Sequence, residues 1–467
     1  MKVKSLGQVF TPKEIVNDIL DVSNYNGEDI LGKHIIDNSC GDGAFLTEIV
    51  DRYIQAYFNK NKKYEGIEKE LEKYIHGIEI DTEIYERCIK NLEEKCRKYK
   101  LEKVKFDILN EDALKVEKYN NKMDFVVGNP PYVRVHNLKE KYESVKKFSF
   151  CENGMTDLYI VFYEIGLKML KKTGTMCYIT PNSFYSSLAG NKLREYIRKT
   201  KKMELLMDLG HYQPFSVTTY TTICKIVKNK EFEKCKYSKY NIKTGKPEYI
   251  TDILYKDLFV NNNIVLSDNN EKYFKYLNYN LKSEQPVIVK NGFATLNDKI
   301  FIKEDFDFDE NTINIIKAST GEWKKCIYPY NKDGKLIPFN QLNNKTQKYL
   351  KNNKKELNKR DLDKKTEWYA FGRSQAINDV KYDKISINTC IKDLQSIKLN
   401  KIKSNEGIYS GLYMLTKIPY KKIKEKICSE DFMQYLKVLN KCKSGGYYTF
   451  SSKDLAKYIN CSMKENS

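Results

Sequence analysis

At 467 residues and 41% hydrophobic content, the chain is long enough for two or three domains with real cores, and it contains no run of about 18 apolar residues to span a membrane. Twelve scattered cysteines without a CxxC pair, beside only four histidines, exclude a disulfide framework and a zinc site and fit a reduced, cytoplasmic protein. Lys and Arg number 82 against 62 Asp and Glu, a net charge of +20, and 36 tyrosines accompany them; that pairing suits a polyanion with bases to stack on. The first eight residues lack the apolar stretch of a signal peptide.

Hydrophobic patterning predicts a strand at 33–37 and a helix at 44–58 with Phe45, Leu46, Ile49, Val50 and Ile54 on one face. A strand at 75–80, a helix at 83–99 and strands at 104–109 and 123–128 follow. Next come a helix at 156–170, a strand at 174–180, a helix at 192–200 and strands at 203–209 and 220–227. Such alternation predicts an α/β fold, Rossmann-like, with a parallel sheet covered by helices on both faces. The stretch 52–74 is longer than its connection needs and is expected as a helical surface insertion. After about residue 229 the alternation fades into polar runs such as Asn261-Asn262-Asn263. Residues 341–403 carry 16 Lys and Arg against seven Asp and Glu, together with Trp368, Tyr369, Phe371, Arg373 and Gln375. Two domains are therefore expected, 1–228 and 229–467, the second with a basic, aromatic-bearing face.

The chemistry concentrates where predicted strands end, the edge at which open α/β sheets bind ligands. The most telling stretch is Asn129-Pro130-Pro131-Tyr132, directly after the strand 123–128. Asn129 offers an amide oxygen and Pro130 a carbonyl with no donor, two fixed acceptors suited to the two hydrogens of an exocyclic amino group. Holding both hydrogens aims the nitrogen lone pair elsewhere, for example at a methyl donor. Tyr132 supplies a face on which a planar base can stack. After the first strand, Asp37-Asn38-Ser39-Cys40-Gly41-Asp42-Gly43 turns into a helix, and Gly41 and Gly43 allow a close backbone approach. The turn lacks a full GxGxxG and a phosphate-loop lysine, and its acids favour a cationic ligand such as S-adenosylmethionine. Glu79 at the second strand end suits ribose hydroxyls, while Asp81 suits an N-cap. Asp112, after the third, either accepts from an adenine amino group or is a plain loop acid.

Together these stretches resemble the TaqI-type adenine-N6 DNA methyltransferases of the gamma motif order, enzymes of type II restriction-modification. The family's first motif is matched by Gly7-Gln8-Val9-Phe10-Thr11-Pro12, and the glycine turn, acidic strand end, loop acid and Asn-Pro-Pro-Tyr follow in family order. Further matches are Thr156-Asp157-Leu158-Tyr159, Tyr178 to Asn182, Phe215 with Thr219 to Ile223, Asn291 to Phe301, Trp368 to Arg373, and Gly445-Gly446-Tyr447-Tyr448. One departure is Asn38-Ser39, where the family more often has proline and a small residue.

The resemblance implies a seven-stranded S-adenosylmethionine-dependent catalytic domain followed by an α+β target-recognition domain. It implies S-adenosylmethionine contacts from Thr11, Pro12, Asp37, Ser39, Gly41, Gly43, Glu79, Ile80, Asp112 and Ala113. Asn129, Pro130 and Tyr132 would be catalytic, with Tyr132 and Phe215 enclosing an adenine flipped out of duplex DNA. Arg373 and Gln375 are candidate base contacts. No metal is expected. The partner is double-stranded DNA, the state a monomer, and the role protection against a separately encoded restriction endonuclease. An orphan epigenetic enzyme shares the same chemistry, and cytosine N4, an RNA base or a protein glutamine are alternative acceptors. A fused nuclease is not expected, because the first motif begins at Gly7.

Overall fold

The computed structural model describes residues 11–102, 104–134, 142–151, 156–212, 214–215, 219–267, 270–282, 285–363 and 366–464. The first motif, Gly7 to Phe10, lies outside them. The chain divides into two compact units, Met1–Asn270 and Glu271–Ser467. No helix among the described residues is long and apolar enough to cross a membrane.

In the first unit, α1 (Lys13–Val22) precedes β1 (Ile35–Asp37), α2 (Ala44–Asn61), α3 (Ile67–Tyr74), β2 (Ile75–Ile78), α4 (Thr82–Lys98), β3 (Asp107–Leu109) and β4 (Met123–Gly128). Then come α5 (Tyr142–Lys146), α6 (Leu158–Met169), β5 (Leu170–Pro181), α7 (Asn191–Thr200), β6 (Met203–Asp208), β7 (Thr221–Val227), β8 (Lys234–Asn241) and β9 (Lys246–Leu254). They form one nine-stranded sheet in the order β3-β2-β1-β4-β5-β7-β6-β8-β9. Strands β1 to β5 pair in parallel, and β7 runs antiparallel to β5 and β6. The five parallel strands thus end on one edge, which gathers Asp37, Glu79, Asn110, Asn129 and Asn182.

The sheet separates two cores, because successive side chains of a strand point to opposite faces. Ile35 and Val127 pack with α1, α2 and α4, while Ile36 and Val126 pack with α6 and α7. Burial on both faces is why these strands read as continuous apolar runs. The expected insertion at 52–74 resolves into a longer α2 and the short α3, whose Ile67 and Leu71 are buried, so it packs rather than merely covering surface.

Two strands exceed the expected seven. In β8 the lysines 234, 236 and 239 face water while Cys235, Tyr237 and Tyr240 are buried, a period-2 pattern masked by its lysine content. β8 pairs in parallel with β6, and β9 closes the edge as its hairpin partner. The sheet therefore continues past residue 228, and the expected boundary at 228/229 falls inside the first unit.

The second unit is α+β. Val287–Asn291, Leu412–Thr416, Lys384–Ile387 and Leu399–Ile402 form an antiparallel sheet in that order. A second sheet joins Ile302–Lys303, Glu322–Ile327, Thr312–Lys317 and Gly407–Tyr409, the last pair parallel. Its main core is aromatic: Phe293, Phe301, Tyr328, Tyr330 and Phe371 are all buried in it.

Candidate active site

Asp37 ends β1 with only 1% of its surface exposed, and its Oδ1 accepts from the Ser39 amide at 3.0 Å. Gly128, at the end of the neighbouring β4, has φ +147°, and a Cβ there would lie 2.6 Å from Asp37 Oδ1. Glycine is what lets the two strand ends close on each other. Burial pushes the Asp37 carboxyl up to about 7, the Ser39 N–H opposes that shift, and the nearby Glu79 carboxylate adds to it. A desolvated acid of this kind takes its charge most readily when a cation arrives. The turn that follows has Gly41 at φ +55° with open space where a Cβ would be, and Gly43 at φ +89° with Cys88 Sγ 2.9 Å from that point. Asn38 is accommodated where proline was expected because Tyr178 Oη donates to its Oδ1 at 3.0 Å. That bond satisfies a polar side chain with 1% exposure.

Glu79 follows β2 and is locked to the same turn. Its Oε2 accepts from the Gly41 amide at 3.0 Å and its Oε1 from the Asp81 amide at 2.8 Å. Burial raises its pKa and these two N–H donors hold the shift down. Asp81 acts as the N-cap of α4, accepting from Glu83 and Ile84. Between the two acids Ile80 presents an apolar side chain that is 40% exposed, an unusual placement beside a polar turn. Asp112 folds its own turn, its Oδ1 accepting from Leu114 N at 3.2 Å, next to buried Ala113.

Asn129 comes directly after β4. Its Nδ2 donates to Thr11 Oγ1 at 3.1 Å, which fixes the orientation of the amide, and Ser39 Oγ donates to its backbone carbonyl at 3.4 Å. Thr11 is buried and Pro12 is the N-cap of α1. Pro130 is buried and Tyr132 half-buried. Tyr132 Oη donates to Ile179 O at 3.5 Å, and the ring meets Tyr159 edge-on, centroids 6.5 Å apart. Tyr159 in turn bonds Ser183 at 2.9 Å. Phe215, 8% exposed, is anchored in the core of α1 and α2, whereas Tyr132 packs on the core of α6.

The fold thus links Asp37, Ser39, Asn129 and Thr11 in one hydrogen-bonded chain and, in the same turn, ties Glu79 to the Gly41 amide. Ser183 had no signal in the sequence, and Tyr159 stood only as the last residue of the Thr156-Asp157-Leu158-Tyr159 match, with no role assigned to it. Arg373 and Gln375 belong to the second unit. Arg373 pairs with Asp361 at 3.3 Å and Asp363 at 3.4 Å, and Gln375 Nε2 donates to Gly292 O at 2.5 Å. Among the described residues no cluster of three or more His, Cys, Asp or Glu is arranged to hold a metal.

Known proteins resemble this chain in sequence and in fold. Residues 44–215 match the Eco57I restriction-modification methylase family. The type II methyltransferase M.BstVI of Geobacillus stearothermophilus is 25% identical over 418 residues, 78% of this chain and 73% of that protein. The type II restriction enzyme and methyltransferase RM.Eco57I of Escherichia coli is 26% identical over 490 residues, 80% of this chain but 48% of its own length. Among solved structures, the type IIL restriction-modification enzyme MmeI in complex with DNA shares the fold over 96% of this chain and 64% of its own, with TM-score 0.65 and 13% identity. The type ISP restriction-modification enzyme LlaGI covers 98% of this chain and 54% of its own at TM-score 0.54 and 14% identity. The matches bear out the resemblance to a type II restriction-modification methylase. The chain spans between 37% and 73% of the length of the curated relatives it matches.

Proposed function

We propose that this protein transfers a methyl group from S-adenosylmethionine to the N6 atom of an adenine flipped out of duplex DNA, as the modification enzyme of a restriction-modification system. The observation that carries the reading is the Asn129-Pro130 pair at the end of β4, its amide oriented by Thr11 and its backbone tied to the glycine turn through Ser39.

The residues present fit S-adenosylmethionine. Asp37 offers a buried counter-charge to a cation, the Gly41 turn leaves space where any other residue would project a side chain, and exposed Ile80 offers an apolar face to an adenine ring. Glu79, already held by two amides, keeps further lone pairs for ribose hydroxyls. Thr11, Pro12, Gly43, Asp112 and Ala113 complete the assigned contacts. When bound, the cofactor supplies an electrophilic methyl group.

The remaining work belongs to this chain. Asn129 Oδ1 and the Pro130 carbonyl accept the two amino hydrogens and turn the nitrogen lone pair out of the ring plane. Tyr132, braced by Tyr159, stacks on one face of the base and Phe215 on the other, returning about 1–3 kcal/mol per aromatic against the few required to unstack it. Catalysis is then mainly positioning. Residues 271–467, with 38 Lys and Arg against 23 Asp and Glu, act as the DNA target-recognition domain. The protein works as a cytoplasmic monomer beside a separately encoded endonuclease.

The test is incubation with methylation-free genomic DNA and S-adenosylmethionine, followed by single-molecule sequencing. N6-methyladenine at one recurrent motif is expected. N4-methylcytosine at that motif, or unmodified DNA with cofactor bound, overturns the reading.

A further inference from the structure

Leu188 is 74% exposed, the most exposed large apolar side chain among the described residues. It sits on the segment that leaves the carboxyl end of β5 at Pro181, on the edge of the sheet that holds Asn129. That segment is tied to the base-stacking aromatics, because Ser183 bonds Tyr159, which lies edge-on behind Tyr132.

The segment is also braced unusually firmly. Arg194 is 4% exposed, and its guanidinium donates to three carbonyls: Phe184 at 2.6 Å, Ser187 at 2.7 Å and Asn262 at 2.5 Å. Desolvating a guanidinium is costly, and here the return is a fixed loop. Ser187 N donates to Ser183 O, Gly190 N to Ser187 Oγ, and Asn191 N to Leu188 O. A Cβ at Gly190 would collide with the Phe184 backbone. Solvent loop tips are ordinarily polar and mobile. This one has a braced backbone and presents a leucine to water on the sheet edge that carries the site proposed to receive an extruded base.

We propose that Leu188 is a wedge that enters the base stack of duplex DNA and fills the gap left by the extruded adenine. The inference rests on the adenine-methylation reading above. Apolar wedges, leucine among them, unstack base steps when inserted between them. A wedge needs a backbone that does not yield to the bases it parts; the Arg194 bonds to the Phe184 and Ser187 carbonyls supply that support.

The experiment compares the full-length wild type with Leu188→Ala on two duplexes bearing the mapped motif, one fully paired and one with an abasic site opposite the target adenine. Methyl transfer is read as kcat/KM, and extrusion by 2-aminopurine fluorescence at the target position. Leu188→Ala is expected to lose roughly ten- to a hundredfold in kcat/KM and most of the fluorescence gain on the paired duplex. On the abasic duplex, where no pairing opposes extrusion, it should match wild type within about threefold. S-adenosylmethionine affinity should stay unchanged, as should paired-duplex activity in Ile242→Ala, a control at another exposed side chain (61%).

Equal losses on both duplexes mean a general folding or positioning defect and overturn the wedge, as does no loss on either. A change of oligomeric state in Leu188→Ala also overturns it, by assigning the leucine to contact with a second copy. If wild type methylates no adenine in duplex DNA, the functional reading fails first and the wedge falls with it.

Discussion

The two units of this chain divide charge from chemistry. Residues 1–270 carry 44 Lys and Arg against 39 Asp and Glu, close to balance, and hold every strand-end group of the candidate site. Residues 271–467 carry 38 against 23 and so contribute fifteen of the twenty excess positive charges in well under half the length. A surplus of that kind binds phosphates without choosing among sequences, whereas in the first unit burial makes Asp37 an acid that responds to a bound cation. On the proposed function, affinity for a polyanion and chemistry on a base are separable, and each can be perturbed alone.

The largest expected effect separates them by salt. If the second unit's surplus engages six to ten phosphates, DNA affinity falls by about 10³–10⁵ between 50 and 200 mM salt, while S-adenosylmethionine affinity barely moves. Fluorescence anisotropy with labelled duplex and calorimetry with cofactor measure the two. A shallow salt dependence would break the division.

Next is Asn129→Ala, expected to lower kcat by roughly 10²–10³ with cofactor binding intact, since one oriented acceptor is removed from the reacting centre. Normal methylation by this variant would falsify its amino-holding role. Asp37→Asn should weaken S-adenosylmethionine about ten- to a hundredfold, the worth of a charge-assisted contact. It should also flatten the pH dependence of binding. In wild type the Asp37 carboxyl titrates near 7, so affinity for a cationic cofactor is expected to rise with pH through that value and level off above it. Folding stability runs the other way. The native carboxyl holds its proton to higher pH than the unfolded one, so this group's contribution is full below the ordinary carboxylate range and is lost as pH rises toward 7. Calorimetric titration and thermal melts from pH 5 to 8 check both signs.

Smaller effects follow. Gly43→Ala meets Cys88 Sγ at 2.9 Å and a left-handed φ, and should lose about 1–3 kcal/mol of stability in the first unit alone. Arg373→Ala is the mildest: its ion pairs with Asp361 and Asp363 are partly exposed and worth about 0.2–1 kcal/mol. A changed methylation motif in that variant would assign base reading to Arg373 and sharpen the role of the second unit.

Residues 33–227 were legible because a parallel sheet buried on both faces imposes apolar strands and 3.6-residue helix spacing that local sequence cannot hide. The strand-end groups were legible for a related reason, since a polar residue directly after such a strand must lie at its end. β8 and β9 were not, because Lys234, Lys236 and Lys239 alternate with buried residues and only pairing with β6 tells that strand from a charged loop. Several strands of the second unit stayed hidden because their partners are remote in sequence, as where Val287–Asn291 pairs with Leu412–Thr416.

By itself, then, the sequence determined which side chains meet at the carboxyl edge, because chain order and strand direction place them there. Only the tertiary structure decided their state. That Glu79 is clamped by the Gly41 amide, that Thr11 orients Asn129, that Asp37 is buried enough to titrate near 7, and that Arg194 reaches the Asn262 carbonyl all depend on contacts across tens of residues or on desolvation. Neither long-range contact nor loss of water is written in local spacing.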